Sequence, residues 1–177
     1  MPFVFDAGPL SYFARAGRLE TLRAICEDSP CAVTDAVLEE LQRGSNTYPS
    51  LLDVLGAPWL ERVSLAGLHE LAIFAEYAQV LGSSREGDVG EAATLAWAEI
   101  HGAVAIVDDQ AAANAGRQRK VETHGTLWLV VRGLRSGDLT EPDAVQLVGA
   151  LLDAGAWFPL SGAEDFIPWA RGEGLLD

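Results

Sequence analysis

Three short, uninterrupted apolar runs constrain the fold of this chain more than any other feature. They occupy residues 3–5 (FVF), 31–33 (CAV) and 103–107 (AVAIV). Runs of this kind are typical of strands buried on both faces, as in parallel sheets. Residues 121–123 (VET) offer a further strand, and the alternation in residues 59–65 (WLERVSL) predicts an edge strand. Helical patterns fill the gaps, so we expect an α/β fold: a three-layer α/β/α sandwich with a mostly parallel central sheet.

The predicted helices begin and end with recognisable signals. Thr34 precedes DAVLEELQRG as an N-cap, and Thr140 precedes an early proline and an acid in the first turn. Asp88 stands three residues before Glu91, which is the spacing of a capping box. Together the patterns predict helices over residues 9–17, 18–27, 35–43, 50–55, 67–81, 89–100, 111–119, 126–135 and 142–154.

The length of 177 residues predicts one domain, which we place at residues 1–155. The remaining tail, 156–177, is irregular and carries Trp157, Phe158, Phe166 and Trp169. Its glycines and prolines disfavour a long helix, whereas its aromatic side chains need burial. The tail therefore packs on its own domain or docks on a second subunit or partner.

The net charge of −14 restricts the partners of the chain. An acidic protein repels a phosphate backbone at long range, so a polyanionic substrate needs bound cations or a few clustered arginines. No apolar run has the length of a membrane span, and the first residues do not resemble a signal peptide. Cys26 and Cys31 fit neither a metal-binding spacing nor a disulfide framework. A reducing cytoplasm is the simplest expectation.

Acidic residues follow the predicted strands at several places. Asp6 ends the first strand, Asp108 and Asp109 end a later one, Glu40 lies in the helix after the second strand, and Glu91 opens another helix. Ligands of open α/β sheets bind at the carboxyl ends of strands, where these side chains are expected to converge. Two carboxylates at 4 Å repel by about 4 kcal/mol at an effective dielectric of 20, so such a cluster holds protons or a metal. Oxygen ligands without histidine or cysteine suit Mg²⁺ or Mn²⁺.

Each acid also has a structural interpretation. Asp6 fits a turn before Gly8, and Glu40, like its neighbour Glu39, fits a solvated helix face. Glu91 fits the capping box with Asp88. One member of the Asp108–Asp109 pair fits the cap of the next helix, leaving the other as a ligand, and the spacing does not choose between them.

Several longer motifs follow one another along the chain: FVFDAGPLSYFARAGRL, VTDAVLEELQRG, GDVGEAATLAWAEIHGAVAIVDDQAAANAG and the closing helix GTLWLVVRGLRSG. They resemble the four motifs of PIN-domain proteins, in the family's order, with the third stretch spanning the third and fourth motifs. The resemblance covers residues 3–137 and is closest to the branch with Gly-Glu-Ala in the third motif. Each motif alone is weak, but the ordered set is fairly specific.

The resemblance implies a metal-dependent ribonuclease, often the VapC-like toxin of a toxin–antitoxin pair. Its matching acids are Asp6, Glu40 and Glu91, with the fourth at Asp108 or Asp109, and its cofactor is Mg²⁺ or Mn²⁺. It further implies an RNA substrate, an antitoxin partner and a homodimer. Many relatives carry a second acid where this chain has Ala93, which leaves the number of metals open.

Basic residues that could contact RNA are few. Arg117, Arg119 and Lys120 form the tight basic cluster, which is either a phosphate guide or a solvated helix end. Arg43 and Arg85 are weaker candidates, and His124 is expected to be structural.

Three rival functions were weighed against this hypothesis. A signalling receiver domain expects its acidic pair early in the chain, and a haloacid-type phosphatase expects a second aspartate where Gly8 stands. Both patterns disagree with this sequence. A catalytically silent PIN-like module that binds partners is the alternative that the sequence leaves open.

Overall fold

A single parallel sheet forms the centre of the protein. The computed structural model describes residues 1–82 and 87–177. Within these residues the strands are β1 (Phe3–Phe5), β2 (Cys31–Thr34), β3 (Leu60–Val63), β4 (Val104–Ile106) and β5 (Thr123–His124). They are hydrogen-bonded in the order β3-β2-β1-β4-β5, and every pair is parallel. The chain therefore builds the sheet outward from β1, first through β2 and β3, then through β4 and β5.

Helices connect the strands and cover the sheet. In the described part of the chain they are α1 (Ala7–Arg15), α2 (Leu19–Ile25), α3 (Asp35–Gly44), α4 (Leu52–Leu55), α5 (Leu68–Leu81), α6 (Gly87–His101), α7 (Gln110–Gln118), α8 (Thr126–Ser136), α9 (Glu141–Asp153) and α10 (Phe166–Gly172). Short 3-10 turns at Pro49–Leu51 and Ala163–Asp165 precede α4 and α10.

Alternating side chains of β1 divide the interior into two layers. Phe3 and Phe5 enter a core shared with α1, α2, α3, α8 and α9, whereas Val4 enters a second core shared with α5, α6 and α7. This alternation follows from the two-residue period of a strand with both faces covered. The three-layer α/β/α fold expected from the sequence is confirmed, and its sheet is parallel throughout.

The edge strands show where sequence patterns were accurate and where they were not. The predicted edge strand at 59–65 is β3, which lies at one edge of the sheet. The strand predicted at 121–123 is wrong by two residues, because β5 is Thr123–His124. Lys120 adopts a left-handed conformation with φ 65°, and the Val121 amide donates back to the Gly116 carbonyl at 2.9 Å. The end of α7 thus uses residues that the apolar pattern assigned to the strand.

The aromatic tail lies against the core beneath α9. Phe166 is fully buried, and Phe158, Ile167 and Ala170 join it in the cluster that also holds Leu147 and Leu151. Trp157, by contrast, is 82% exposed. The domain boundary at residue 155 stays a prediction. No helix of residues 1–82 or 87–177 combines the length and the apolar character needed to cross a membrane.

Candidate metal-binding and catalytic site

Asp6 stands where the order of the sheet reverses. It follows β1 directly, and its backbone amide donates to the Ile106 carbonyl of β4 at 3.0 Å. β1 and β4 are neighbours, and the connection from β1 leads to β2 on one side of the pair while the connection from β4 leads to β5 on the other. Ligand sites of open α/β sheets occupy the crevice at this point, outside the carboxyl ends of the strands.

The carboxyl group of Asp6 is buried without a full set of hydrogen-bond donors. The residue is 7% exposed, and Oδ1 has no hydrogen-bond partner within the described residues. Burial and then the negative charge of Glu40 raise the pKa of Asp6 to about 7, with a smaller contribution from Asp108. The amides of Ala7 and Gly8 lower this pKa in part. Since an isolated buried carboxylate is costly, Asp6 requires a proton or a cation.

Glu40 reaches Asp6 from α3. That helix starts at Thr34, whose hydroxyl accepts the Val37 amide at 3.4 Å. Across from α3, a Cβ built on Gly90 of α6 would stand 3.0 Å from Glu40 Oε2 and 3.4 Å from Asp6 Oδ1. Glycine at position 90 therefore allows α6 to approach both carboxylates closely.

Glu91 adds a third acid from the first turns of α6. Burial raises its pKa to about 8, followed by the charges of Asp6 and Asp109 and then of Asp88 and Glu40. Because α6 begins at Gly87, Asp88 lies inside its first turn. The capping-box interpretation of Asp88 and Glu91 is therefore wrong, since the cap residue of a helix precedes the first turn. Glu91 faces the acidic cluster instead.

The two consecutive aspartates after β4 each bind the start of a different helix. Oδ1 of Asp109 accepts the amides of Ala111 and Ala112 at 2.7 and 2.9 Å and so caps α7. Asp108 accepts the Thr126 amide at 2.7 Å and its hydroxyl at 2.6 Å, at the start of α8. The sequence predicted that one of the pair is a cap; the structure shows that both fix helix ends.

Asp108 is held at the rim of the site. The residue is exposed, but its carboxylate packs against α8: a Cβ on Gly125 would stand 2.8 Å from Asp108 Oδ1. Lost solvation raises the pKa of Asp108, and the two hydrogen bonds from Thr126 lower it. The carboxylate is thus oriented by α8 while its charge still acts on Asp6.

Sequence reasoning missed two residues of this region. Tyr12 of α1 lies beside the acids: after burial, the charges of Asp108 and then Asp6 raise its pKa, and Arg15 lowers it. Thr126 orients Asp108 from a segment far along the chain, a contact that no local pattern announces. The available signal for Tyr12 was its position in the helix predicted after Asp6, six residues further along the chain.

The donor set has the chemistry of a divalent-cation site, although its geometry is open. In the described ranges, no three histidine, cysteine, aspartate or glutamate side chains already stand at metal-ligand spacing. Mutually repelling carboxylates are expected to stand further apart without a cation than around one. The unpartnered Oδ1 of Asp6 and the raised pKa values of Asp6 and Glu91 fit a bound cation. Oxygen donors alone favour Mg²⁺ or Mn²⁺ over zinc.

The basic cluster of Arg117, Arg119 and Lys120 lies near the amino end of β5, at the opposite end of the strands from the acids. α7 leaves the carboxyl end of β4 and leads back to β5, which runs parallel to β4, so Arg117, Arg119 and Lys120 lie away from the acids. Arg119 binds Glu99 through Nε and Nη2 and Glu76 through Nη1, each at 2.7 Å. The RNA contact expected of this cluster stays a prediction that its placement does not favour.

The other basic and aromatic candidates have distinct surroundings. Arg43 lies at the rim of a 520 Å³ cavity between α3, α4 and β3. Arg85 lies outside the described residues. His124 stacks on Trp128 at 4.0 Å and lies 2.9 Å from Glu122, contacts that agree with the structural role expected of it.

Comparison with known proteins agrees with this architecture. A family model described as a PIN domain matches residues 2–169, which is nearly the whole chain. No curated protein and no solved structure gives a significant match. The resemblance found in the sequence motifs is thus supported by a match that extends beyond them in both directions.

Proposed function

Because the chain belongs to the PIN-domain family, we propose that it is a metal-dependent endoribonuclease whose site is built by Asp6, Glu40, Glu91 and the Asp108–Asp109 pair. PIN domains are commonly metal-dependent nucleases. The observation that carries the proposal is the gathering of these carboxylates at the switch point of the sheet, where burial first and their mutual repulsion second raise the pKa of Asp6 to about 7 and that of Glu91 to about 8.

The residues would divide the work of holding Mg²⁺ or Mn²⁺. Asp6, Glu91 and one aspartate of the pair after β4 would hold the cation. Glu40, which with Asp6 borders Gly90, would orient the attacking water. When bound, the cation would lower the pKa of a water molecule and stabilise the negative charge that develops on the scissile phosphodiester.

The chain's own groups supply orientation. Glu91 must be ionised to hold a cation, so a bound cation would displace the proton that burial and the acidic neighbours of Glu91 favour. Thr126 holds Asp108, and the α7 amides hold Asp109, so the site does not depend on freely rotating acids. Hydrolysis of a phosphodiester requires such fixed positions, because alignment of the attacking water contributes much of the rate.

We further propose that the protein is the toxin of a toxin–antitoxin pair, with an antitoxin protein and a second copy of itself as partners. The support is the resemblance to VapC-like toxins in the motif containing Gly90 and Glu91. Expression of the wild-type chain should arrest bacterial growth, and co-expression of the protein encoded by the adjacent gene should relieve the arrest. Growth unaffected by the chain at high expression would remove the toxin assignment without removing the nuclease.

The nuclease assignment is tested by cleavage of a panel of structured and unstructured RNAs with Mn²⁺ and with EDTA. Glu91→Gln should lose cleavage, and EDTA should abolish wild-type cleavage. Glu27→Gln is the matched control, because Glu27 is exposed and lies between α2 and β2, before the amino end of that strand. Absence of cleavage by the wild type with every RNA and metal would instead favour a silent RNA- or protein-binding module.

A further inference from the structure

A tyrosine and an arginine of α1 extend the acidic site along one side. A Cβ built on Gly8 would stand 3.9 Å from Asp6 Oδ2 and 4.0 Å from Tyr12 Cε2, so the Tyr12 ring and the Asp6 carboxylate both border Gly8. One helical turn further, the Arg15 guanidinium lies over the ring of Tyr48, with Cζ 3.9 Å from the ring centroid. Tyr48, which precedes the Pro49–Leu51 turn, is 42% exposed. We call Tyr12, Arg15 and Tyr48 the α1 surface.

Electrostatic effects agree with this order of residues. Tyr12 is affected both by the acids, which raise its pKa, and by Arg15, which lowers it. Tyr12 therefore stands between the negative cluster and a positive charge. Nine residues of helix place Arg15 about 13 Å beyond Asp6 along α1, a separation that puts it outside the reacting centre.

Arg15 differs from the ion-paired arginines of this acidic protein. Arg23, Arg62, Arg119 and Arg171 pair with carboxylates. The ion pairs found among residues 1–82 and 87–177 do not include Arg15. Its guanidinium stacks on Tyr48 and lies next to Gly155, where a Cβ would stand 3.1 Å from Nη2. An arginine stacked on an aromatic ring keeps its edge donors available for an oxyanion.

Building on the proposed nuclease, we propose that the α1 surface binds the backbone of single-stranded RNA next to the scissile phosphodiester. Arg15 binds a phosphate, Tyr48 is a positioning residue that keeps the guanidinium in place, and Tyr12 contacts the nucleotide between Arg15 and the acids. A chain of net charge −14 gives no long-range attraction to RNA, so a fixed local cation on the path to the site meets a definite physical need.

The position of Arg15 predicts which kinetic constant it controls. A contact made equally in the ground state and in the transition state changes KM and leaves kcat unaltered. Loss of a charged hydrogen bond to phosphate raises KM about tenfold, and loss of one phosphate contact lowers the slope of log binding constant against log salt by about one.

The experiment measures cleavage of a mixed-sequence single-stranded RNA by the full chain with Mn²⁺, at several salt concentrations. Arg15→Met should raise KM about tenfold with kcat changed less than about twofold. The KM of Arg15→Lys should lie between that of Arg15→Met and that of the wild type. Tyr48→Phe should match the wild type, whereas Tyr48→Ala should raise KM. Arg23→Met, which removes an exposed arginine from α2, is the matched control and should leave KM unaltered.

The outcomes separate this inference from the proposed function. A wild type that cleaves RNA while Arg15→Met keeps its KM and salt slope overturns the inference and leaves the nuclease intact. A fall in melting temperature without a change in KM overturns it too, because Arg15 would then be a structural clamp. If the wild type cleaves no RNA, the nuclease fails. Binding of a 2′-O-methyl RNA is then measured. Weaker binding by Arg15→Met but not by Arg23→Met supports the α1 surface as an RNA-binding site, and equal binding by the two variants overturns the inference.

Discussion

Gly90 of α6 lies so close to Glu40 of α3 that a Cβ at position 90 would stand 3.0 Å from Glu40 Oε2. Gly90→Ala therefore displaces a carboxylate of the site while it favours the helix by up to about 1 kcal/mol. We expect stability to change little and metal affinity and cleavage to fall about tenfold or more, as measured by Mn²⁺ titration and RNA cleavage.

The control for Gly90→Ala is Gly149→Ala in α9. A Cβ on Gly149 would meet only the Cβ of Ala163, at an ordinary contact distance of 3.5 Å. This variant should gain stability and keep wild-type cleavage. Full cleavage by Gly90→Ala would show that Glu40 and α6 need not approach each other for function.

The metal-free protein should lose stability as pH rises. Asp6 and Glu91 have pKa values of about 7 and 8 in the folded chain, above their ordinary 3.8 and 4.5, so the folded state binds their protons more tightly. This contribution is complete below about pH 4 and is lost as pH rises through the two folded values. Between pH 5 and pH 8.5 the melting temperature should fall by roughly 5 to 10 °C.

Saturating Mn²⁺ at pH 8 should reverse much of this loss, since the cation binds the ionised carboxylates of the folded state. In Asp6→Asn/Glu91→Gln the fall between pH 5 and pH 8.5 should shrink, because the titrating groups are gone. A melting temperature of the wild type that is flat or rises across this interval would contradict the assigned carboxyl environment.

Thr126→Val tests whether α8 orients Asp108. The substitution keeps the shape of a fully buried side chain but removes the hydroxyl that donates to Asp108 Oδ2 at 2.6 Å. We expect a loss of about 1 to 2 kcal/mol in the free energy of unfolding, together with several-fold slower cleavage. The comparison is Thr126→Ser, which keeps the hydroxyl; equal cleavage by the two variants would show that this hydrogen bond has no functional role.

Arg119→Met tests whether the basic cluster near the amino end of β5 contacts RNA. Arg119 joins Glu99 and Glu76 in a partly exposed ion-pair network, where such contacts contribute about 1 kcal/mol or less. The variant should lose a little stability and keep the wild-type KM for RNA. A several-fold rise in KM would instead support the RNA contact predicted from the sequence for Arg117, Arg119 and Lys120.

Strand positions were predictable because burial on both faces leaves a direct mark on composition. Phe3, Val4 and Phe5 are apolar without interruption, since α helices cover each face of β1. β5 was misplaced because its two residues leave almost no pattern, and because the left-handed Lys120 ends α7 in a way that apolar periodicity does not reveal.

The sequence could predict the approach of only those site residues that follow a strand. Asp6 and Asp108 follow β1 and β4, which are neighbours, so their approach follows from the sheet. The contact of Glu40 with Gly90 depends on how α3 packs against α6, and the hydrogen bonds from Thr126 join segments 18 residues apart. Such tertiary contacts have no local signature. The basic cluster was grouped with the acids because proximity in sequence hid the length of α7 between them.

The most direct test of the carboxylate site is RNA cleavage by Asp6→Asn in the presence of Mn²⁺, beside wild type and Asp28→Asn. Asp28 is exposed and lies before the amino end of β2, so its substitution removes the same charge elsewhere. The account predicts that Asp6→Asn loses at least about a hundredfold in kcat/KM and loses the Mn²⁺-induced rise in melting temperature, whereas Asp28→Asn keeps both. Equal cleavage by the wild type and Asp6→Asn would contradict it.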